Sequence, residues 1–303
     1  MISKQRAMMV YDLQGLGLTT DEIVQHMDVK ASSVERYLRI ATQKVLPKIL
    51  IYDVETSPIE VLVWGLYKQR IPIDNIVKEW AILSWAAKWL NNPNVMSAVV
   101  TPKQATDRKD KDVVEKLWSL FEEADVVVAH NALKFDNRKM NARWKVNGLM
   151  PCSPFQTIDT LKVAQKSFAF SSHKLNYLTD LLVGNQKIKT EYGLWKRCIN
   201  GEQESLDEML RYNKQDVLIL EDLYFELRPW IKSHPNIGLY LDGTGEVCAN
   251  CGSSLLDWDI KPYYTSVGRF KAYRCKSCCA IGRSRYSDLS QEERKNLLVG
   301  TAR

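Results

Sequence analysis

Long apolar runs are missing from this sequence of 303 residues: no stretch approaches the roughly 18 consecutive apolar residues that a membrane-spanning helix needs. The opening Met1-Ile2-Ser3-Lys4-Gln5-Arg6 leads into no apolar secretory core, so a cytoplasmic protein without a membrane partner is expected. Internal repeats and low-complexity tracts are also lacking, and glycine contributes only 14 residues. With 45% hydrophobic and 26% charged side chains, this excludes collagen-like and disordered chains and points to a large globular domain with appendages. Charge of one sign is lacking too, since 42 Lys and Arg against 36 Asp and Glu leave only +6, too little to indicate a polyanionic partner alone. Its distribution says more. Residues 1–48 hold 7 basic and 5 acidic side chains and residues 241–303 hold 10 and 7, so the flanks carry +5 and the middle about +1. Cysteine is present in an odd number, 7, with four in two Cys-x-x-Cys pairs, a pattern that suits metal in a reducing compartment better than disulfides.

Three helices are expected in residues 1–45. The first carries Met8, Val10, Tyr11 and Leu13 and ends at Gly15-Leu16-Gly17. Thr19-Thr20-Asp21-Glu22 supplies hydroxyl caps and first-turn acids for a short second helix, Ile23 to Met27. A third starts near Ala31, with Val34, Tyr37, Leu38 and Ala41 at helical spacing. The short helix, the turn Asp28-Val29-Lys30 and the following helix resemble a helix-turn-helix, with Asp28 where glycine is common. On that reading Lys30, Ser32, Ser33, Arg36 and Arg39 face a nucleic-acid groove; a protein-contact bundle would share the same pattern.

From Lys48 the period changes. Ile49 to Glu55 is a dense apolar strand ending in acids, and Val61-Leu62-Val63-Trp64 suggests the next strand. Trp80 to Leu90 and Val95 to Val100 are further candidates, and 125–130 reads as a buried parallel strand. Asp112 to Phe121 is an amphipathic helix, followed by helices near 137–146, 161–168, 174–182 and 205–228 and a short strand at 157–160. Trp80, Trp85 and Trp89 are expected in the core, and Cys152 and Cys198 as inert thiols. Strands first and strand–helix alternation later predict an α/β domain with a mixed sheet.

Three acidic elements punctuate this domain. Asp53 and Glu55 lie two apart on one strand and share a face; two carboxylates so close suit a magnesium or manganese ion, although a strand end meeting solvent has the same pattern. Asp136 follows the carboxyl end of the 125–130 strand in His130-Asn131-Ala132-Leu133-Lys134-Phe135-Asp136, and reads equally as a ligand or a helix cap. Tyr212 and Asp216, spaced i and i+4, place a phenol and a carboxylate on one helical face.

Taken as a set, Asp53-x-Glu55, Asn131-x-x-x-Phe135-Asp136 and Tyr212-x-x-x-Asp216 resemble the three motifs of the DEDDy 3′–5′ exonucleases of the ribonuclease-H-like fold, over about residues 48–230. Proofreading exonuclease domains of family B DNA polymerases are similar in pattern. The segments Thr157 to Leu161 and His173 to Leu178 also resemble parts of that group. The resemblance implies that Asp53, Glu55, Asp136 and Asp216 hold two Mg²⁺ or Mn²⁺ ions, that Tyr212 orients the attacking water, and that His130 and Asn131 position the terminal nucleotide or support the ligands, although a histidine at a strand end is more often structural. A transposase on the same fold would lack the tyrosine before its third acid, which Tyr212 argues against.

Cys248-x-x-Cys251 and Cys275-x-x-Cys278 offer four thiolates for one Zn²⁺, with Cys279 an alternative to Cys278 that the knuckle spacing disfavours. A ribbon of this size needs the metal to fold. Arg269, Lys271 and Arg274, interleaved with Tyr263, Tyr264, Phe270 and Tyr273, suit nucleic-acid backbones and bases; a structural cap or docking module is the other reading. The expected organisation is a helix-turn-helix at 1–45, a ribonuclease-H-like exonuclease domain at 48–235, a zinc ribbon at 242–288 and a tail at 289–303. It is similar to stand-alone exonucleases encoded by bacteriophages, which would place it in a bacterial cytoplasm. The expected activity is 3′–5′ hydrolysis of nucleic acid, DNA ahead of RNA. An exoribonuclease, and a nucleic-acid-binding regulator with an inactive nuclease-like domain, are the alternatives.

Overall fold

The residues described in the computed structural model are 2–43, 46–68, 70–184, 191–241 and 245–300. They form two compact units, one from Met1–Pro47 with Arg228–Arg303 and one from Lys48–Leu227. The first and last sequence segments thus belong to one unit.

In the first unit, α1 (Ile2–Gly15), α2 (Thr20–Met27) and α3 (Ala31–Gln43) share a core of Val10, Leu13, Ile23, Val34 and Tyr37. Thr19 closes a capping box with Glu22, satisfying N–H groups that a helix start leaves orphaned. Asp28 takes the left-handed conformation that ends α2, with φ 49°, and so does the work a glycine would do at this turn. The side chains of Met8, Tyr11, Arg36, Arg39 and Ala41 lie outside the described residues.

The second unit is built on β1 (Ile49–Thr56), whose residues 49–52 and 54 are buried. A small excursion follows, in which β2 (Glu60–Val61) pairs with β3 (Ile76–Lys78). The strand expected over Val61 to Trp64 therefore stops after one residue of that stretch. Asn75 brackets Leu62, accepting its N–H at the backbone and donating Nδ2 to its carbonyl, and Leu62 and Trp64 are exposed. Next come β4 (Ile82–Trp89), β5 (Met96–Val99), α4 (Pro102–Asp107), α5 (Lys111–Glu123), β6 (Val126–Ala129), α6 (Asp136–Val146), β7 (Gln156–Asp159), α7 (Thr160–Ser167), α8 (Leu175–Leu182), α9 (Tyr192–Ile199) and α10 (Gln203–Leu227). The sheet order is β5-β4-β1-β6-β7; β4 runs antiparallel to β1 and β5, whereas β1, β6 and β7 are parallel.

Alternation along β1 sends neighbouring side chains to different helices. Tyr52 packs edge-on against Phe121 of α5, which in turn meets Trp144 of α6. Asp53 meets Asn213 of α10. Burying each large apolar side chain here contributes roughly 1.5–3 kcal/mol. Polar anchors set the register: Asp110, wholly buried, takes two bonds from Arg143 (2.7 Å each), the N–H of Ile82 and Asn147 Nδ2. Lys88 of β4 and Glu221 of α10 form a buried ion pair, and Glu221 also accepts the N–H of Asn91. Trp85 is buried; Trp80 and Trp89 are partly buried against the same core, and Lys139 Nζ lies 3.6 Å from the Trp80 ring centre. Pro229 lacks an N–H and restricts the residue before it, and α10 passes there into a short 3-10 turn, Arg228–Trp230.

In the first unit again, β8 (Leu256–Asp257), β11 (Ala272–Cys275) and β12 (Ile281–Arg283) make a three-stranded sheet, and β9 (Tyr263–Thr265) and β10 (Gly268–Phe270) a hairpin; α11 (Gln291–Asn296) follows. Asp12 of α1 accepts from Ser253 Oγ and the Ser254 N–H, and burial pushes its carboxyl up to about 6. No helix among the described residues is long and apolar enough to cross a membrane.

Candidate active site and cysteine cluster

Strand β1 ends in its acids, and its burial runs from full at Ile49 to partial at Asp53, Glu55 and Thr56, with Val54 between them buried. Asp53 and Glu55 project from one face, and α10 crosses that face with Asp216. One ligand atom from each of Asp53, Glu55 and Asp216 falls within 4.8 Å of the others. Three carboxylates at that separation repel unless a cation neutralises them.

Asp136 stands outside this trio. Only 1% exposed, it opens α6, and its carboxylate accepts the N–H of Val54, the residue between the two acids of β1, and its own N–H. Its Oδ2 is buried with no hydrogen-bond partner. Burial is the main cause that pushes this carboxyl up to about 7, and the negative charge of Asp159 adds to it. The same charges act on Tyr52, whose phenol is raised by burial and then by Asp136, Asp53 and Asp159. Its hydroxyl donates to Asn137, and Asn137 Nδ2 donates to Thr157 Oγ1 at 2.9 Å.

Two residues that the sequence motifs do not single out hold the acids in place. Asn213, fully buried on α10, donates Nδ2 to Asp53 Oδ2 at 2.6 Å while its Oδ1 meets the Ser84 hydroxyl. Asp159, at the end of β7, accepts the N–H groups of Asn131, Leu133 and Lys162. It thereby caps α7 and clamps the loop that leads to Asp136. Asn131 sits at φ 75°, a left-handed conformation that asparagine tolerates better than most residues, and its carbonyl accepts from Lys134 and Phe135. The signal was present in the sequence as Thr157-Ile158-Asp159-Thr160, but its role depends on a pairing across 28 residues.

His130 has both ring nitrogens engaged. Nε2 donates to the His173 carbonyl at 2.9 Å and Nδ1 meets Thr160 Oγ1 at 2.9 Å. It ties β6 to α7 and to the turn before α8. Tyr212, 7% exposed, packs edge-on to Trp195 one helical turn before Asp216. Lys30 and Ser32 are exposed and Ser33 is half-buried. Lys271 and Arg274 are exposed, while Arg269 pairs with Asp288 at 3.0 Å.

The four cysteines Cys248, Cys251, Cys275 and Cys278 converge. The Cys248–Cys278 and Cys251–Cys275 sulfurs are each 3.6 Å apart. A regular tetrahedron of thiolates around zinc, with bonds of about 2.3 Å, has edges of about 3.8 Å. The cluster could therefore hold zinc. Cys279 is exposed at φ 60° and is not part of it. Hydrogen bonds among the four sulfurs push the Cys275 and Cys248 thiols down and those of Cys251 and Cys278 up, so without an ion the cluster shares its remaining protons. Burial pushes Cys152 and Cys198 up to about 12, which suppresses thiolate chemistry at both.

No curated protein matches the chain. The matching stretch of a family model begins beyond β1 and takes in Asp136, Tyr212 and Asp216, leaving Asp53 and Glu55 upstream. The five-stranded mixed sheet flanked by helices fits a ribonuclease-H-like fold, and residues 91–228 match that family model, RNase_H_2 of the RNase_H superfamily.

Proposed function

We propose that the chain is a metal-dependent 3′–5′ exonuclease that hydrolyses phosphodiester bonds of nucleic acid, DNA ahead of RNA, to nucleoside 5′-monophosphates. The observation that carries this reading is the convergence of Asp53, Glu55 and Asp216, with Tyr212 on the same helix as the third acid. A nuclease-type activity is also what the RNase_H superfamily match suggests.

The residues fit divalent ions. The donor set is all oxygen, as magnesium and manganese prefer, and the partnerless buried Oδ2 of Asp136 is an acceptor still lacking a positive counterpart. Asp53, Glu55, Asp136 and Asp216 would hold two such ions, which when bound stabilise charge on the attacking and leaving oxygens. Tyr212 orients the water by hydrogen bond rather than acting as the base, since a phenol's ordinary pKa is about 10. Asn213 fixes the Asp53 carboxylate, and Asp159 fixes the loop carrying Asn131, which lies against the terminal nucleotide. In the other unit, zinc on the four cysteines supports the ribbon. Lys271, Arg274 and Arg269 there, and Lys30, Ser32, Ser33, Arg36 and Arg39 of a helix-turn-helix, contact nucleic acid.

A degradation series tests the reading: 3′-labelled and 5′-labelled single-stranded DNA, duplex DNA and RNA, with magnesium, manganese or EDTA. The 3′ label is expected to be lost first, and only with metal. Asp216→Ala and Asp136→Ala, purified and folded, are each expected to lower the rate by on the order of 10²–10³-fold. Undiminished digestion by either variant removes the assignment.

A further inference from the structure

The excursion between β1 and β4 is not accounted for by the metal-ion chemistry. It leaves the sheet at Ser57, two residues after Glu55, and it is pinned there: the Ser57 N–H donates to the Ala81 carbonyl, and the Ala81 N–H donates to Ser57 Oγ, both at 2.9 Å. The β2–β3 pairing and Asn75 hold its stem. Its tip is the opposite of what such a stem would normally display. Trp64 is 101% exposed, Leu66 86% and Tyr67 85%, with Leu62 at 71%. Single exposed apolar residues are unremarkable, but a run of them on one short projection marks a surface that meets something.

Charge selects the occupant. Residues 62–71 carry Lys68 and Arg70 and no acid, whereas Glu60, Asp74 and Glu79 are confined to the stem and the return. Aromatic rings beside cations, without carboxylates, form the combination that holds single-stranded nucleic acid: rings stack on bases and cations follow the phosphates. The chain from Glu55 to Trp64 spans roughly nine residues, at most about 30 Å when extended, so the projection is tethered close to the carboxylates.

We propose that this tip is a base-stacking platform, on which Trp64 and Tyr67 stack unpaired bases of the substrate strand while Lys68 and Arg70 meet its phosphates. The proposal rests on the nuclease reading above for its substrate. It makes the enzyme specific for single-stranded ends, because paired bases have no free face to offer.

Binding of the full chain to a single-stranded oligonucleotide carrying 2-aminopurine near its 3′ end, without added magnesium or manganese so that no hydrolysis occurs, tests this directly. Stacking is expected to change the 2-aminopurine fluorescence. Trp64→Ala and Tyr67→Ala are each expected to weaken binding by roughly 5- to 100-fold, and Trp64→Phe to restore most of it. An oligonucleotide with abasic sites in place of the unpaired bases should bind the parent protein no better than intact DNA binds the Trp64→Ala protein. Equal binding by parent and Trp64→Ala overturns the platform, as does equal binding of intact and abasic strands. So does a parent protein that sediments as a dimer and becomes monomeric on the Trp64→Ala change, which would assign the tip to a second copy of the chain. The two readings fail separately: a parent that stacks bases but digests nothing in magnesium refutes the nuclease, and one that digests 3′ ends but shows no stacking refutes the platform.

Discussion

The carboxylate site and the cysteine cluster both gather side chains that could hold a metal ion, but they are built for opposite ends. In the cluster, all four donors come from the protein, and the sulfurs already stand near the edge length of a tetrahedron. Such a set is complete and leaves no position for substrate. At the end of β1 the donors are three convergent carboxylates with a fourth buried beside them, and Asp53 and Glu55 are only partly buried. An incomplete oxygen shell keeps places for water and phosphate. Placement follows the same division. The cysteines lie on turns and small strands whose core is little more than Cys248, Tyr273, Cys275 and Ala280, whereas the acids stand on a sheet and a 25-residue helix already fixed by a large apolar core. One site is expected to make its fold; the other is made by its fold.

Metal removal is the strongest test of that contrast. Stripping zinc, or Cys275→Ser, is expected to unfold residues 248–283 outright, since structural zinc contributes on the order of 10 kcal/mol or more to domains of this size. Magnesium removal should leave the secondary structure unchanged and abolish only hydrolysis. Hydrogen exchange with and without each metal checks both. A ribbon that keeps its protection after zinc is removed would show that its small core suffices, and the contrast would collapse.

A smaller effect is expected at Asn213, whose amide carries the distinction down to one hydrogen bond. A preformed open site needs its ligands held before the ion arrives, and Asn213 holds Asp53. Asn213→Ala should weaken manganese binding, measured calorimetrically, and the rate by about 10- to 100-fold, as losses of supporting hydrogen bonds at metal sites typically do. Unchanged manganese affinity would mean that Asp53 is fixed by the strand alone.

Much of this architecture was legible in the sequence where the physics is local. The dense strand ending in Asp53 and Glu55, the i, i+4 pair Tyr212 and Asp216, and the cysteine spacing all rest on periods of two, four or three residues. What could not be read depends on pairs distant in sequence. Lys88 finds Glu221 across 133 residues, Asn213 finds Asp53 across 160, and Asp159 reaches back to the loop at Asn131. Three helices have no counterpart in the sequence reading: α11, although Ser290 and Glu293 form a capping box at its start, and two in the middle unit, α4 and α9, for different reasons. For α4 the signal was there, Thr101-Pro102 followed by Gln104, a capping box with proline at the first turn. For α9 it was weak, because Glu191 offers no side-chain cap and the helix is only eight residues long. Val61 to Trp64 misled because an apolar run announces burial only when another layer is present to cover the strand, and here the chain projects instead.

The pH response gives the finest separation between the two sites. Burial raises the Asp136 carboxyl from the ordinary 3.8 to about 7, so in the metal-free fold it is still largely protonated where an unfolded chain has already lost that proton. Between about pH 4 and 7 the folded state therefore binds more protons than the unfolded state, and this group makes the metal-free protein less stable as pH rises through that window, with no further change above it. A divalent ion reverses the preference because it binds the carboxylate. Metal affinity should accordingly fall about tenfold for each pH unit below 7 and level off above it, and the stabilisation that magnesium confers should grow over the same range. Thermal melts at pH 5, 6, 7 and 8, with or without added magnesium, measure both slopes at once. Asp136→Asn, which cannot ionise, should flatten the metal-free slope between about pH 6 and 7 while leaving, below it, the share of Asp12, whose carboxyl burial raises to about 6. A slope between about pH 6 and 7 that survives this substitution would place the titrating proton among Asp53, Glu55 and Asp216 instead, and the open site would then owe its pH dependence to mutual repulsion rather than to the burial of one acid.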